Sequence, residues 1–175
     1  MSIRLALQLL TLVAIVGCTH TPGPPQTKYA YLAASFDSRG AAQMIEGGQN
    51  TVKGNAFMRQ QGGGVVTCAG EEVTMIPATS YAQLRMQYVY GNTKSGVVKY
   101  MPNVEFFPNP DEYQNLTRRT RCDSQGNFLF ERVADDDFYF VTSVNWQAGN
   151  TSQGGFIMLR SDVKGSATVS LVLSP

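Results

Sequence analysis

The sequence predicts an all-β fold: a β-sandwich of about seven strands with one or two short helices and a long insertion. Three observations predict it. Short runs of β-branched and aromatic residues recur between turn-forming clusters, at 51–58, 72–77, 128–133, 138–144, 155–160 and 166–173. The chain holds 17 Gly and 8 Pro among many Ser, Thr, Asn and Gln, which suits many turns. Hydrophobic residues make up 43% and aromatics 10% of 175 residues, enough for one packed core.

The most legible stretch is 122–146, CDSQGNFLFERVADDDFYFVTSVNW. It reads as strand, turn, strand, and so as a hairpin. Phe128 and Phe130 alternate with polar neighbours, and Val133 follows. Residues 134–137 break the pattern with three aspartates, and 138–144 resume it. The second arm is apolar on both faces. Tyr139 and Val141 point one way, toward the core of Phe128, Phe130 and Val133. Phe138, Phe140, Val144 and Trp146 point the other. A strand with one wet face would not need that, so its outer face is expected to be covered. The helix at 37–45, the insertion after Pro77 or a partner protein would cover it.

The remaining elements follow in order. Asp37 or Ser38 caps a short helix through Ile45, which Gly47 and Gly48 end. In 51–58, Val52, Gly54, Ala56 and Met58 share one strand face. Gly62, Gly63 and Gly64 have no Lys-Ser/Thr or helix after them, so they read as a hairpin loop and not a phosphate loop. Val73 and Met75 mark a strand that Pro77 ends or places at an edge. Thr79 or Ser80 caps a helix with Tyr81, Leu84 and Tyr88 on one side, although 88–90 also suits a strand. Residues 91–115 carry Pro102, Pro108 and Pro110 and read as a long ordered insertion at one end of the sandwich. Polar 147–153 is turn-like; strands at 155–160 and 166–173 follow, the last with Ala167, Val169, Leu171 and Leu173 inward.

The amino terminus speaks to location. A basic start, with Arg4, precedes 13 mostly apolar residues, 5–17. As a helix these span about 20 Å, short of the ~30 Å bilayer core, and match a secretory signal. Ile15-Val16-Gly17-Cys18 resembles the lipobox of bacterial lipoproteins. The resemblance implies a signal peptide at 1–17, cleavage before Cys18 and acyl chains, palmitate among them, on Cys18. With Thr19 and not Asp next, it also implies the outer membrane, with the domain in the periplasm or at the cell surface. Residues 18–28, rich in proline, form a tether, and 29–175 form a single domain. His20 is the protein's one histidine and reads as a linker residue.

With Cys18 lipidated, Cys68 and Cys122 remain as an even pair in an oxidising compartment and are expected to form a disulfide. A Cα separation beyond about 7 Å would exclude the bridge. Two cysteines without a domain histidine make a poor zinc site, so no metal or cofactor is expected.

Gly54-x-Ala56, Asp123-x-x-Gly126-x-Phe128-x-Phe130-x-x-Val133 and Tyr139-x-Val141 resemble the carboxypeptidase regulatory-like, or transthyretin-like, β-sandwich superfamily. The resemblance covers roughly 50–174 and implies an Ig-like sandwich. Asp137 departs from it, standing where that superfamily usually has Gly, as does the insertion after Pro77. The superfamily is a scaffold for binding and structural modules, so fold does not fix function.

Charge excludes one class. The sequence has 14 Lys+Arg and 13 Asp+Glu, and loss of Arg4 with the signal balances them. No basic stripe for nucleic acid follows. The first expected function is a non-catalytic envelope lipoprotein, a structural or accessory protein-binding subunit of an outer-membrane complex. Its candidate partner surface is Phe138, Phe140 and Trp146, with the basic cluster Arg118, Arg119 and Arg121. The alternative is a carbohydrate- or peptidoglycan-binding module. Tyr88, Tyr90, Tyr100, Phe106, Phe107, Tyr113 and Trp146 would supply its stacking platform. An exposed aromatic row favours the glycan; a dry apolar patch favours the protein. No enzyme is expected. Transthyretin-like hydrolases of the purine pathway rely on histidines, which this domain lacks. Asp135, Asp136 and Asp137 lie in sequence and point to alternate faces.

Overall fold

A computed structural model describes residues 27–175. The signal segment, Cys18, His20 and most of the tether lie outside the described residues. Among the described residues, no helix is long and apolar enough to cross a membrane.

Among the described residues, the architecture is an all-β sandwich with three short helices. The elements are β1 (Lys28–Tyr31), α1 (Ser38–Ile45), β2 (Asn50–Arg59), β3 (Val65–Thr67), β4 (Glu72–Pro77), α2 (Ser80–Tyr90) and β5 (Ser95–Val98). Then come β6 (Val104–Phe107), α3 (Glu112–Asn115), β7 (Arg118–Arg121), β8 (Asn127–Val133), β9 (Asp136–Ala148), β10 (Thr151–Val163) and β11 (Thr168–Leu173). One sheet has the order β5-β10-β9-β4-β7. The other is built on β2, with β11 parallel to it and β8 and β3 antiparallel along successive parts of it. A separate two-stranded parallel sheet pairs β1 with β6. The strands beyond the expected seven are mostly three or four residues long, too short to show a period in sequence.

The main core lies between the sheets. Phe128 and Phe130 of β8 meet Phe140 of β9 at ring-centre distances of 6.4 and 5.9 Å. Val52, Met75, Phe138, Val144, Ile157 and Leu173 complete it. Burial of each such side chain stabilises by about 1.5–3 kcal/mol. Gly54 of β2 is needed here, because the Phe128 ring occupies the space a Cβ would take. A second cluster lies on the other face of the five-stranded sheet, where Tyr81, Ala82 and Met86 of α2 cover Ile76, Tyr139 and Met158.

The expectations for residues 122–153 are corrected. Residues 122–146 are not a hairpin: β8 pairs with β2, whereas β9 pairs with β4 and β10. The 134–135 turn is an arch from one sheet to the other, so both arms can face the same core. The faces of β9 are also exchanged. Phe138, Phe140 and Val144 point into the sandwich, and Tyr139 points outward under α2. Residues 147–153 are not a long turn; β9 and β10 pair through Ala148 and Thr151 around a tight turn at 149–150.

Helix caps follow the sequence. The Asp37 carboxylate accepts from Gly40 N at 3.0 Å, and the Thr79 hydroxyl from Ala82 N at 3.2 Å. Gly91 ends α2 in the left-handed conformation, φ 68°. Helix α2 runs on through Tyr90, and its buried residues are Tyr81, Ala82 and Met86, not the expected Tyr81, Leu84 and Tyr88. Ala167 is exposed, ahead of β11.

Candidate functional site: an exposed aromatic platform

Strand β1 begins the described chain and pairs in register with β6: Ala30 opposite Phe106, Tyr31 opposite Phe107. Alternation splits the sheet into two faces. Ala30 and Phe106 face the body of the protein, 6% and 3% exposed. Tyr29, Tyr31, Glu105 and Phe107 face away. Tyr31 is 82% exposed, Tyr29 59% and Phe107 37%. The Phe107 ring lies 5.5 Å from Tyr31, at 26° between planes, and 5.9 Å from Tyr29. Three rings thus form one open apolar surface, with Glu105 opposite Tyr29. Beside β1, residues 29–33 with Leu84, Gln87 and Tyr88 of α2 bound a cavity of about 560 Å³.

The platform is held from beneath. The Arg85 guanidinium lies 4.1 Å from the Phe106 ring centre and 4.5 Å from that of Tyr113. It also donates to Asn109 Oδ1 at 2.8 Å and to the Tyr81 hydroxyl at 3.2 Å. The Tyr81 hydroxyl donates to Pro108 O at 2.6 Å. A cation between two aromatic faces contributes about 1–2 kcal/mol when partly desolvated. Arg85 thereby ties the segment that carries Phe107 to α2. Burial pushes the Tyr113 hydroxyl up to about 12, with Arg85 pulling the other way.

The residues expected to stack separate into two groups. Phe107, Tyr88 and Tyr100 are exposed. Phe106 and Tyr113 are buried, and Tyr90 packs half-buried against the second core, its hydroxyl without a hydrogen-bond partner among the described residues. Burial raises the Tyr90 pKa as well. Trp146 packs against the main core. Sequence reasoning missed Tyr29 and Tyr31. Their signal was present as Tyr-Ala-Tyr, large residues two apart with a small one between.

The expected protein-binding surface is not assembled. Phe138 and Phe140 are fully buried, because the β8–β9 arch turns them onto Phe128 and Phe130. The basic cluster has local partners. Strand β8 carries a bulge, in which Glu131 and Arg132 oppose Thr51 and Arg132 takes φ 54°. Arg118 donates to the freed Glu131 and Arg132 carbonyls at 2.6 and 3.0 Å. Its own burial and the nearby Arg132 lower its pKa. Arg119 pairs with Glu72 at 3.5 Å, and Arg121 donates to Gly70 O. These arginines lie on β7, an edge strand, where charge discourages pairing with another chain.

The aspartates of the arch also diverge. Asp135 accepts from Asn50 Nδ2 at 2.7 Å, and Asp137 pairs with Arg160. Asp137 therefore has a structural role, tying β9 to β10. Among the described residues, no group of three or more His, Cys, Asp or Glu is placed to hold a metal ion. Cys68 and Cys122 are bonded, with Cα atoms 5.8 Å apart, inside the limit for a bridge.

No family model matches the chain, and no curated protein matches it. Among solved structures, it is similar to a Pseudomonas aeruginosa protein described as "a putative carbohydrate binding protein". The TM-score is 0.67 at 19% identity, over 81% of this chain and 99% of the other. At that identity the likeness shows a shared fold.

Proposed function

We propose that this chain is a non-catalytic glycan-binding module, held at the bacterial outer membrane through lipid on Cys18. One observation carries the reading: Tyr29, Tyr31 and Phe107 form a contiguous exposed platform with a carboxylate beside it. Aromatic rings with few rotatable bonds stack on the apolar C–H face of a pyranose at little entropic cost. Polar side chains at the edge, Glu105 and Gln87, take the hydroxyls. The adjoining 560 Å³ cavity lies within the usual ligand-site range of about 300–1,000 Å³. The fold shared with a protein described as carbohydrate binding supports the same reading. The transthyretin-like resemblance and the lipobox agree with an anchored, extracytoplasmic scaffold of this kind. Of the surface expected for a protein partner, Phe138 and Phe140 lie buried in the core.

The test uses the full chain in detergent against a panel of neutral oligosaccharides and peptidoglycan fragments, by calorimetry. Tyr31→Ala is expected to weaken binding about five- to tenfold, the value of one stacked ring. The variant should leave stability unchanged, because Tyr31 is 82% exposed. Absence of binding across the panel, or equal binding by the variant, refutes the proposal.

A further inference from the structure

The platform carries a charge as well as rings. Glu105 is the register partner of Tyr29, two residues before Phe107 on the same strand face. It is exposed, and among the described residues its carboxylate makes no ion pair or hydrogen bond. Among the described residues, no cation pairs with it on that face. Lys28 pairs with Val104 and alternates onto the opposite face. Arg85 is engaged beneath the sheet, between Phe106 and Tyr113. A sugar stacked on Tyr29 and Phe107 would therefore lie beside an unpaired carboxylate.

Resting on the glycan reading above, we propose that Glu105 is the specificity-determining residue of the platform. It accepts hydroxyl hydrogen bonds from neutral glycans and repels glycans that carry carboxylate or phosphate groups. Adjacent strands stand about 4.8 Å apart, which puts a ring stacked on Tyr29 next to Glu105; a carboxylate on that ring at about 6 Å serves as the reference distance. At that distance, in a solvent-exposed site, repulsion amounts to roughly a three- to tenfold difference in affinity. Salt screens it, with a Debye length of about 10 Å at 0.1 M and 3 Å at 1 M.

The experiment pairs each neutral oligosaccharide of the panel with its C6-oxidised, uronate-bearing counterpart, and measures both on the full chain at 20 mM and 1 M salt. The wild type is expected to prefer each neutral member threefold or more at low salt, with the preference shrinking at high salt. Glu105→Gln keeps the acceptor oxygen and removes the charge. It is expected to bind the oxidised members nearly as well as the neutral ones. If neutral glycans bind but the preference is absent, or survives in Glu105→Gln, the selectivity assignment is overturned and the platform stands. If nothing in the panel binds, the platform reading falls and the selectivity with it.

Discussion

Replacing Cys68 and Cys122 together by alanine removes a bridge that closes 54 residues. On the chain-entropy model, a loop of that length restricts the unfolded state by about 4 kcal/mol at 25 °C. That is a large share of the 5–15 kcal/mol that typical domains possess. The native side gives little back: both cysteines are buried, and their backbones stay paired, Cys122 N donating to Glu71 O and Cys68 N to Ala56 O. The expected loss is therefore close to the entropic value. Urea titration should show a lower midpoint and, with two-state unfolding, a loss of about 4 kcal/mol. For a domain of this size it corresponds to a Tm lower by about 8–16 °C. Wild type reduced in dithiothreitol separates the cross-link from packing, since it keeps both sulfurs and loses only the bond. It should fall nearly as far as the double variant. A loss below about 1 kcal/mol, or a reduced wild type as stable as the oxidised one, refutes the reasoning.

Other outcomes follow from the same structure. Asn50 is fully buried; it donates to Val133 O and accepts from Ala167 N, each at 3.0 Å. Asn50→Ala leaves both groups unpaired and should cost about 2–4 kcal/mol, read from urea unfolding. Gly54→Ala drives a methyl into the Phe128 ring and should cost about 1–3 kcal/mol; combined with Phe128→Leu, the losses should sum to less than their parts. Tyr113 should ionise near pH 12 in the folded protein against about 10 when unfolded. The folded state then holds its proton more tightly, so this contribution to stability is intact below pH 10 and declines as pH rises toward 12. Ultraviolet titration of wild type against Tyr113→Phe reads it; a Tyr113 transition at pH 10 contradicts the burial argument.

Much of the fold was legible because burial leaves a period of two. The alternation in β2 (Val52, Gly54, Ala56, Met58) and the inward Leu171 and Leu173 of β11 are as the sequence reads. The step from Phe130 to Val133 is three residues and not two. That irregularity is the bulge, where Glu131 and Arg132 face one residue of β2. The faces of β9 could not be assigned this way. Both of its sides are apolar, so the period is silent, and only the choice of arch over hairpin decides between them. The binding platform was illegible for another reason. Tyr29 and Tyr31 acquire meaning only through Phe107, 76 positions after Tyr31, and no local pattern announces a parallel pairing across that distance. The polar clasp of Asn50 is equally non-local, reaching Asp135 and Ala167.

The two-stranded sheet also has a mechanical meaning. Strand β1 is the first element among the described residues, and its evenly spaced, slanted bonds tie it to parallel β6. A pull on the amino-terminal chain along the strand would load those bonds together, in shear. Peeling β1 away would separate Tyr29 and Tyr31 from Phe107 and dismantle the platform. A ligand lying across Tyr31 and Phe107 therefore acts as a rivet between the two strands. On the proposed lipid anchor and glycan ligand, occupancy would strengthen the attachment of β1 to β6, and load through β1 would favour release of the ligand.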